Sequence, residues 1–214
     1  KILNNTFFEN GKVIFASDIH GGEIKGNTFD KNGNAIIAES SPPLFGGNTI
    51  TSDSPGVKGI IIRSGVGGDY TFAKDLSYVV EWGNYSFNGN IFAEKGAVFK
   101  FMTNPPTGLT ITEKFTANGT SEEPVVFTSF YDDEFGGDTS NDATSSQPVL
   151  GHWRGIEFWG QKEAVLDGVV VRYAGGQNWW YNLAGIKAGG SEPLTIKNSV
   201  IEKNKFRGVW NAGN

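Results

Sequence analysis

The sequence predicts an all-β fold, a right-handed parallel β-helix in which each turn of the chain stacks on the previous one as a coil of a solenoid. One phrase repeats at intervals of 22 and 21 residues: Asn5-Thr6-Phe7, Asn27-Thr28-Phe29 and Asn48-Thr49-Ile50. Apolar pairs repeat in step with it, 23 and 24 residues apart: Val13-Ile14, Ile36-Ile37 and Ile60-Ile61. Two series that advance together are typical of stacked coils.

The composition supports short strands joined by turns and excludes several functions. Thirty Gly among 214 residues favour turns, and helical periodicity is scarce. A net charge of -5 without a Lys or Arg cluster argues against nucleic-acid binding, and no apolar run predicts membrane insertion. The absence of Cys excludes disulfides, thiolate catalysis and cysteine-based metal sites.

Residues 1–64 are predicted to form about three coils. Because side chains alternate along a strand, one residue of each repeat should point into the solenoid: Phe7, Phe29 and Ile50. The amides of the same repeats should form a ladder at a corner, where each can bond to its copies above and below: Asn5, Asn27 and Asn48.

The rest of the chain is predicted to continue the same solenoid. Residues 65–128 should form wider coils, 129–152 an inserted loop rich in Asp and Gly, and 153–214 further coils. Because Lys1 already lies inside a repeat, we expect the chain to be a fragment of a longer protein with more β-helix repeats.

Two flanks of the inserted loop resemble a known group of proteins. Phe127-Thr128-Ser129 leads into the acidic run, and Gly151-His152-Trp153-Arg154-Gly155-Ile156 leads out of it. With the neighbouring strands, residues 66–214 resemble bacterial exported right-handed parallel β-helix proteins of the pectate-lyase-like superfamily. The resemblance implies a secreted or cell-surface location and an adhesive or carbohydrate-associated role, without implying a reaction. His152 and Arg154 depart from the Asp and Gly that are usual in that group.

The acidic loop predicts a structural Ca²⁺ site. Asp138, Ser140 and Asp142 alternate as in a calcium-binding turn, and Asp132 and Asp133 are close in sequence. Ca²⁺ needs about six to eight oxygen ligands, which these side chains and nearby carbonyls can supply. The alternative is a solvated loop held by its own Asx turns.

The aromatic segment before the last coils predicts a sugar site at Asn178, Trp179, Trp180 and Tyr181. Sugar rings stack on aromatic faces while their hydroxyl groups bond to amides. In the alternative, one Trp folds back over the wall of the solenoid.

Three charged residues are the candidates for catalysis: Glu157, Arg172 and Lys187. Glu157 and Lys187 follow equivalent Gly-Ile pairs, so they should point outward on adjacent coils, where an exposed ion pair is the favoured interpretation.

We therefore expect a segment of a secreted or surface-attached bacterial adhesin or stalk that contacts polysaccharide and is stabilised by Ca²⁺. One alternative is a polysaccharide lyase or glycoside hydrolase of the parallel β-helix type, and another is a mechanical spacer without a ligand.

Overall fold

The computed structural model describes residues 1–19, 21–40, 42–176, 184–190 and 192–212. These residues form 25 short β-strands, and none of them is helical. Strands from successive coils pair in parallel, so the predicted parallel β-solenoid is confirmed. No helix in the described part of the chain is long and apolar enough to span a membrane.

Each of the first eight coils contributes three strands, and the last strand belongs to a ninth coil. The first four coils contain β1 Ile2–Leu3, β2 Thr6–Phe8, β3 Lys12–Ser17, β4 Glu23–Lys25, β5 Thr28–Asp30, β6 Asn34–Glu39, β7 Leu44–Gly46, β8 Thr49–Ile50, β9 Gly59–Ile62, β10 Val66–Gly67, β11 Tyr70–Phe72 and β12 Ser77–Val80. The later coils contain β13 Asn84–Asn88, β14 Asn90–Glu94, β15 Val98–Phe101, β16 Gly108–Ile111, β17 Lys114–Asn118, β18 Val125–Ser129, β19 Ile156–Phe158, β20 Glu163–Asp167, β21 Val169–Arg172, β22 Ala184–Ala188, β23 Leu194–Lys197, β24 Val200–Glu202 and β25 Arg207–Asn211.

One eight-stranded sheet runs from the first coil to the eighth, in the order β24-β21-β18-β15-β12-β9-β6-β3. The other two walls change partners between the third and fourth coils. Sheets β1-β4-β7 and β2-β5-β8 end there, and a six-stranded sheet β10-β13-β16-β19-β22-β25 and a five-stranded sheet β11-β14-β17-β20-β23 begin. This change of pairing coincides with the boundary near residue 65 that the sequence predicts between the first coils and the next ones.

The paired residues give the length of each coil. Ile2 pairs with Ile24, an advance of 24 - 2 = 22 residues, and Ile186 pairs with Val209, an advance of 209 - 186 = 23. Within 65–128, where wider coils are predicted, Phe87 is 21 residues after its partner Val66 and 24 before its partner Ile111. The advance from Ile111 to Phe158 is 158 - 111 = 47 because it contains the inserted loop.

The interior is one continuous apolar column. Paired residues of the eight-stranded sheet stack in the order Ile14, Ile36, Ile60, Tyr78, Phe99, Phe127 and Val171, and all are buried. The rings of Phe99 and Phe127 lie 4.9 Å apart and nearly parallel. Each such side chain contributes about 1.5–3 kcal/mol on burial, so the stacked coils supply the core that no single coil contains.

The predicted asparagine ladder is confirmed. Asn5 Nδ2 donates to Asn27 Oδ1, and Asn27 Nδ2 donates to Asn48 Oδ1, both at 3.1 Å. Asp75 ends the ladder, since its carboxylate accepts hydrogen bonds from the backbone N and from Nδ2 of Asn48. These bonds satisfy buried amides at a corner, which is a structural role.

Candidate functional site

The inserted loop lies across the outer face of the eight-stranded sheet. Thr139 O accepts a hydrogen bond from Lys58 N at 3.0 Å, and Gly137 O accepts one from Lys100 Nζ at 2.6 Å. Asn141 Nδ2 donates to Ser54 O, 87 residues earlier in the chain. The loop thus ties the coil of β18 to the coil of β9, and outward-facing residues beneath it are buried: Ile61, Val79, Lys100 and Thr128.

Arg172 is held under the start of this loop. Its Nε and Nη2 donate to the two carboxylate oxygens of Asp132 at 2.7 and 2.6 Å, and the two side chains are only 2% and 3% exposed. Glu134 and Glu202 contact the same guanidinium. Burial by itself lowers the pKa of Arg172, but the hydrogen bonds to Asp132 and Glu134 outweigh burial and raise that pKa above its ordinary value. Arg172 is therefore a charged anchor for the loop.

Two of the five side chains predicted to bind Ca²⁺, Asp132 and Asp138, are engaged in other contacts. Asp132 is bound to Arg172, and Asp138 accepts hydrogen bonds from Asp142 N, Ala143 N and Ser140 Oγ, which is the Asx-turn arrangement of the alternative interpretation. Within the described ranges no three acidic or histidine side chains are grouped as metal ligands. Oδ1 of Asp133 and Oδ1 of Asp142 are buried without a hydrogen-bond partner. Burial, with the neighbouring charge of Asp138, raises the pKa of Asp133.

The predicted sugar-binding residues Asn178, Trp179, Trp180 and Tyr181 lie outside the described residues.

Glu157 and Lys187 point outward on adjacent strands, as predicted, and pair directly in the six-stranded sheet. Lys187 Nζ lies 2.5 Å from Glu157 Oε1. The expected exposed ion pair is instead largely buried, with 17% of the Glu157 side chain and 7% of the Lys187 side chain exposed. Two indole rings shield it, since Lys187 Nζ is 5.6 Å from the ring centroid of Trp159 and 5.3 Å from that of Trp210.

The aromatic face, as we call it, consists of Thr110, Glu157, Trp159, Lys187 and Trp210 on the outside of the six-stranded sheet. Thr110 pairs with Glu157, Glu157 with Lys187, and Lys187 with Trp210, so these four form one column along the solenoid axis. Trp159 lies beside the column and is 57% exposed. A groove of about 260 Å³ opens between Thr110, Glu157, Trp159 and Lys187.

Arg172 does not belong to this face. It lies on β21 of the eight-stranded sheet, whereas Glu157 and Lys187 lie on β19 and β22 of the six-stranded sheet. The three candidate catalytic residues are therefore not brought together.

Trp159 and Trp210 were not predicted as site residues, although the sequence carried the signals for both. Trp159 follows Glu157 by two positions, which places it on the same face of a strand. Gly208-Val209 repeats Gly185-Ile186, so the next residue, Trp210, aligns with Lys187.

The fold and this face define a class of protein: a parallel β-solenoid that presents aromatic and hydrogen-bonding side chains on one wall. No protein-family model, curated protein or solved structure matches the chain. The chemistry of the aromatic face is therefore the basis for a functional proposal. An exposed indole, a carboxylate and a hydroxyl can stack on a sugar ring and bond to its hydroxyl groups.

Proposed function

We propose that this chain is a glycan-binding segment of a secreted or cell-surface bacterial β-solenoid, acting as an adhesin or stalk. The observation that supports the proposal is the aromatic face. Trp159 is a large apolar ring left 57% exposed directly beside a Glu157 carboxylate that Lys187 holds in place. A sugar stacked on the ring would place its hydroxyl groups within reach of that carboxylate and of Thr110.

Further sugar contacts are proposed for Asn178, Trp179, Trp180 and Tyr181. In sequence they precede β22, the strand that carries Lys187. Aromatic and amide side chains are the types that bind sugars, and this chemistry is the basis for including the segment in the proposal.

The test is affinity gel electrophoresis against a panel of soluble plant, algal and bacterial glycans. The chain should be retarded by at least one of them, and Trp159→Ala should reduce the retardation. Trp82→Ala is a matched control, because Trp82 is also exposed, at 56%, but lies outside the aromatic face. If every glycan that retards the wild type retards Trp159→Ala equally, the aromatic face is not the binding site.

We also propose that Ca²⁺ stabilises the inserted loop. Two of the five predicted ligands support this proposal. The Oδ1 atoms of Asp133 and Asp142 are buried without a hydrogen-bond partner, and a hard cation binds oxygen atoms of this kind. Thermal melting with Ca²⁺ and with chelator tests this. A higher melting temperature with Ca²⁺, lost in Asp133→Asn and Asp142→Asn, is expected, and equal melting would exclude the ion.

The enzymatic alternative is tested with the same panel. A lyase acting on a uronate polymer would release an unsaturated product that absorbs ultraviolet light, and a hydrolase would release reducing ends. Product formation that is lost in Glu157→Gln would replace the binding proposal with catalysis. If neither retardation nor product is seen, the mechanical spacer is the function that remains.

A further inference from the structure

The charges of the aromatic face bear on whether it binds neutral or anionic sugars. This inference rests on the glycan-binding function proposed above. We infer that its ligand is a neutral sugar chain and that an anionic, uronate-type polymer is disfavoured.

The ammonium group of the groove is already engaged. Lys187 Nζ is 2.5 Å from Glu157 Oε1, lies over the rings of Trp159 and Trp210, and belongs to a side chain only 7% exposed. A carboxylate sugar that approached Lys187 would have to displace Glu157 from a contact that is largely buried. Breaking a shielded ion pair is costly because it leaves desolvated charge behind.

The remaining groups on and near the face are suited to uncharged hydroxyl groups. The hydroxyl of Thr110 accepts a hydrogen bond from Asn84 Nδ2 at 2.6 Å, and Ser86 lies beside Thr110 on the neighbouring strand. The whole chain has a net charge of -5, which repels polyanions.

Arg207 is the group that could contradict this inference. It is exposed, and its guanidinium lies 5.3 Å from the ring centroid of Trp210. An anionic polymer would use this cation, whereas a neutral sugar stacked on Trp159 does not need it. Arg207→Gln therefore separates the two classes of ligand.

Gly189 lies against the Trp159 ring. Substitution of Gly189 therefore tests the position of the ring, whereas Trp159→Ala removes the ring altogether. A Cβ atom at Gly189 would lie 2.5 Å from Trp159 Cε3 and 2.8 Å from Cζ3. Gly189 is not among the glycines with positive φ, so Ala is compatible with the backbone and only the ring opposes it. Gly189→Ala should displace the indole without removing it.

The experiment compares neutral probes, namely a β-glucan, a mannan and a galactan, with polygalacturonate and alginate. Retardation by a neutral polymer should change by less than about twofold when NaCl is raised from about 50 to about 500 mM, because screening acts on charges alone. Trp159→Ala should weaken that binding about tenfold, Arg207→Gln should not change it, and Gly189→Ala should weaken it in wild type but not in the Trp159→Ala background.

The other outcomes each overturn a specific statement. Salt-sensitive binding to polygalacturonate or alginate that is weakened by Arg207→Gln overturns the neutral-sugar inference and leaves the glycan-binding proposal intact. An effect of Gly189→Ala that persists in the Trp159→Ala background shows that Gly189 does not act through the ring. Binding to none of the five polymers, nor to any glycan of the wider panel, overturns the proposed function and this inference with it.

Discussion

Asp75 accepts two hydrogen bonds from one residue, Asn48, through the backbone N at 2.8 Å and the side-chain Nδ2 at 2.7 Å. It therefore stands where a further asparagine would continue the ladder. A carboxylate at this position ends the ladder, because it accepts hydrogen bonds from Asn48 but has no N–H group to donate to the next coil.

The Asp75 carboxyl should make folding stability depend on pH. Burial is the main cause that raises its pKa, and it outweighs the hydrogen bonds from Asn48. A raised folded-state pKa means that the stabilising contribution is complete below the unfolded value of 3.8 and is lost as pH rises through the folded value. Asp75→Asn keeps an acceptor for Asn48 and removes the charge.

Urea denaturation of Asp75→Asn should thus give a higher free energy of unfolding than wild type at pH 7, with the gain shrinking as pH falls toward 3.8. Asp69→Asn is the control, since Asp69 is bonded to an amide, Asn90, at an exposed site. A less stable Asp75→Asn protein at neutral pH would show that the charge itself holds the ladder.

The ion pair between Arg172 and Asp132 should be strongly coupled. Asp132→Ala leaves a guanidinium with 2% of its side chain exposed next to a cavity, and loss of one partner of a buried pair costs about 3–5 kcal/mol. Glu134 and Glu202 remain near Arg172, so the lower end of that range is expected.

A double-mutant cycle with Asp132→Ala and Arg172→Leu measures the coupling by urea denaturation. We expect an interaction energy above about 1.5 kcal/mol, and below about 1 kcal/mol for the exposed control pair Lys114–Glu163. Equal coupling energies for the two pairs would contradict the anchoring role of Arg172.

Much of the fold could be predicted from the sequence because its contacts are periodic. The asparagine ladder and the pairing of Glu157 with Lys187 join residues one coil apart, so a repeat in the sequence is also a contact in space. The docking of the inserted loop has no such signal. Arg172 and Asp132 are 40 residues apart, and their contact depends on how the loop folds back over the sheet.

The two residues of the aromatic face that were not predicted, Trp159 and Trp210, have a different explanation. Burial of the Glu157–Lys187 pair requires two rings from different coils to meet over it, and a search for charged residues alone overlooks Trp159 and Trp210.

Lys100, buried under the inserted loop, should make stability rise at alkaline pH. Burial is the main cause that lowers its pKa from 10.5 to about 8. Between these values the unfolded chain binds more protons than the folded one, so the free energy of unfolding increases with pH over that window.

Between pH 8 and about 10.5, the free energy of unfolding should rise by on the order of 2 kcal/mol more in wild type than in Lys100→Met. Urea denaturation of both proteins across this range provides the measurement. Parallel stability curves for the two proteins would show that Lys100 is not held in a desolvated site.

The most direct test of glycan binding at the aromatic face is the response of individual indole groups. In a ¹⁵N-labelled sample, the Nε1–H signal of Trp159 is identified as the one that disappears in Trp159→Phe. This signal should shift progressively during titration with an oligosaccharide derived from a neutral glycan that retards the chain. The signals of buried Trp153 and of exposed Trp82 should not shift. A titration that shifts Trp82 and leaves Trp159 unchanged would contradict the account.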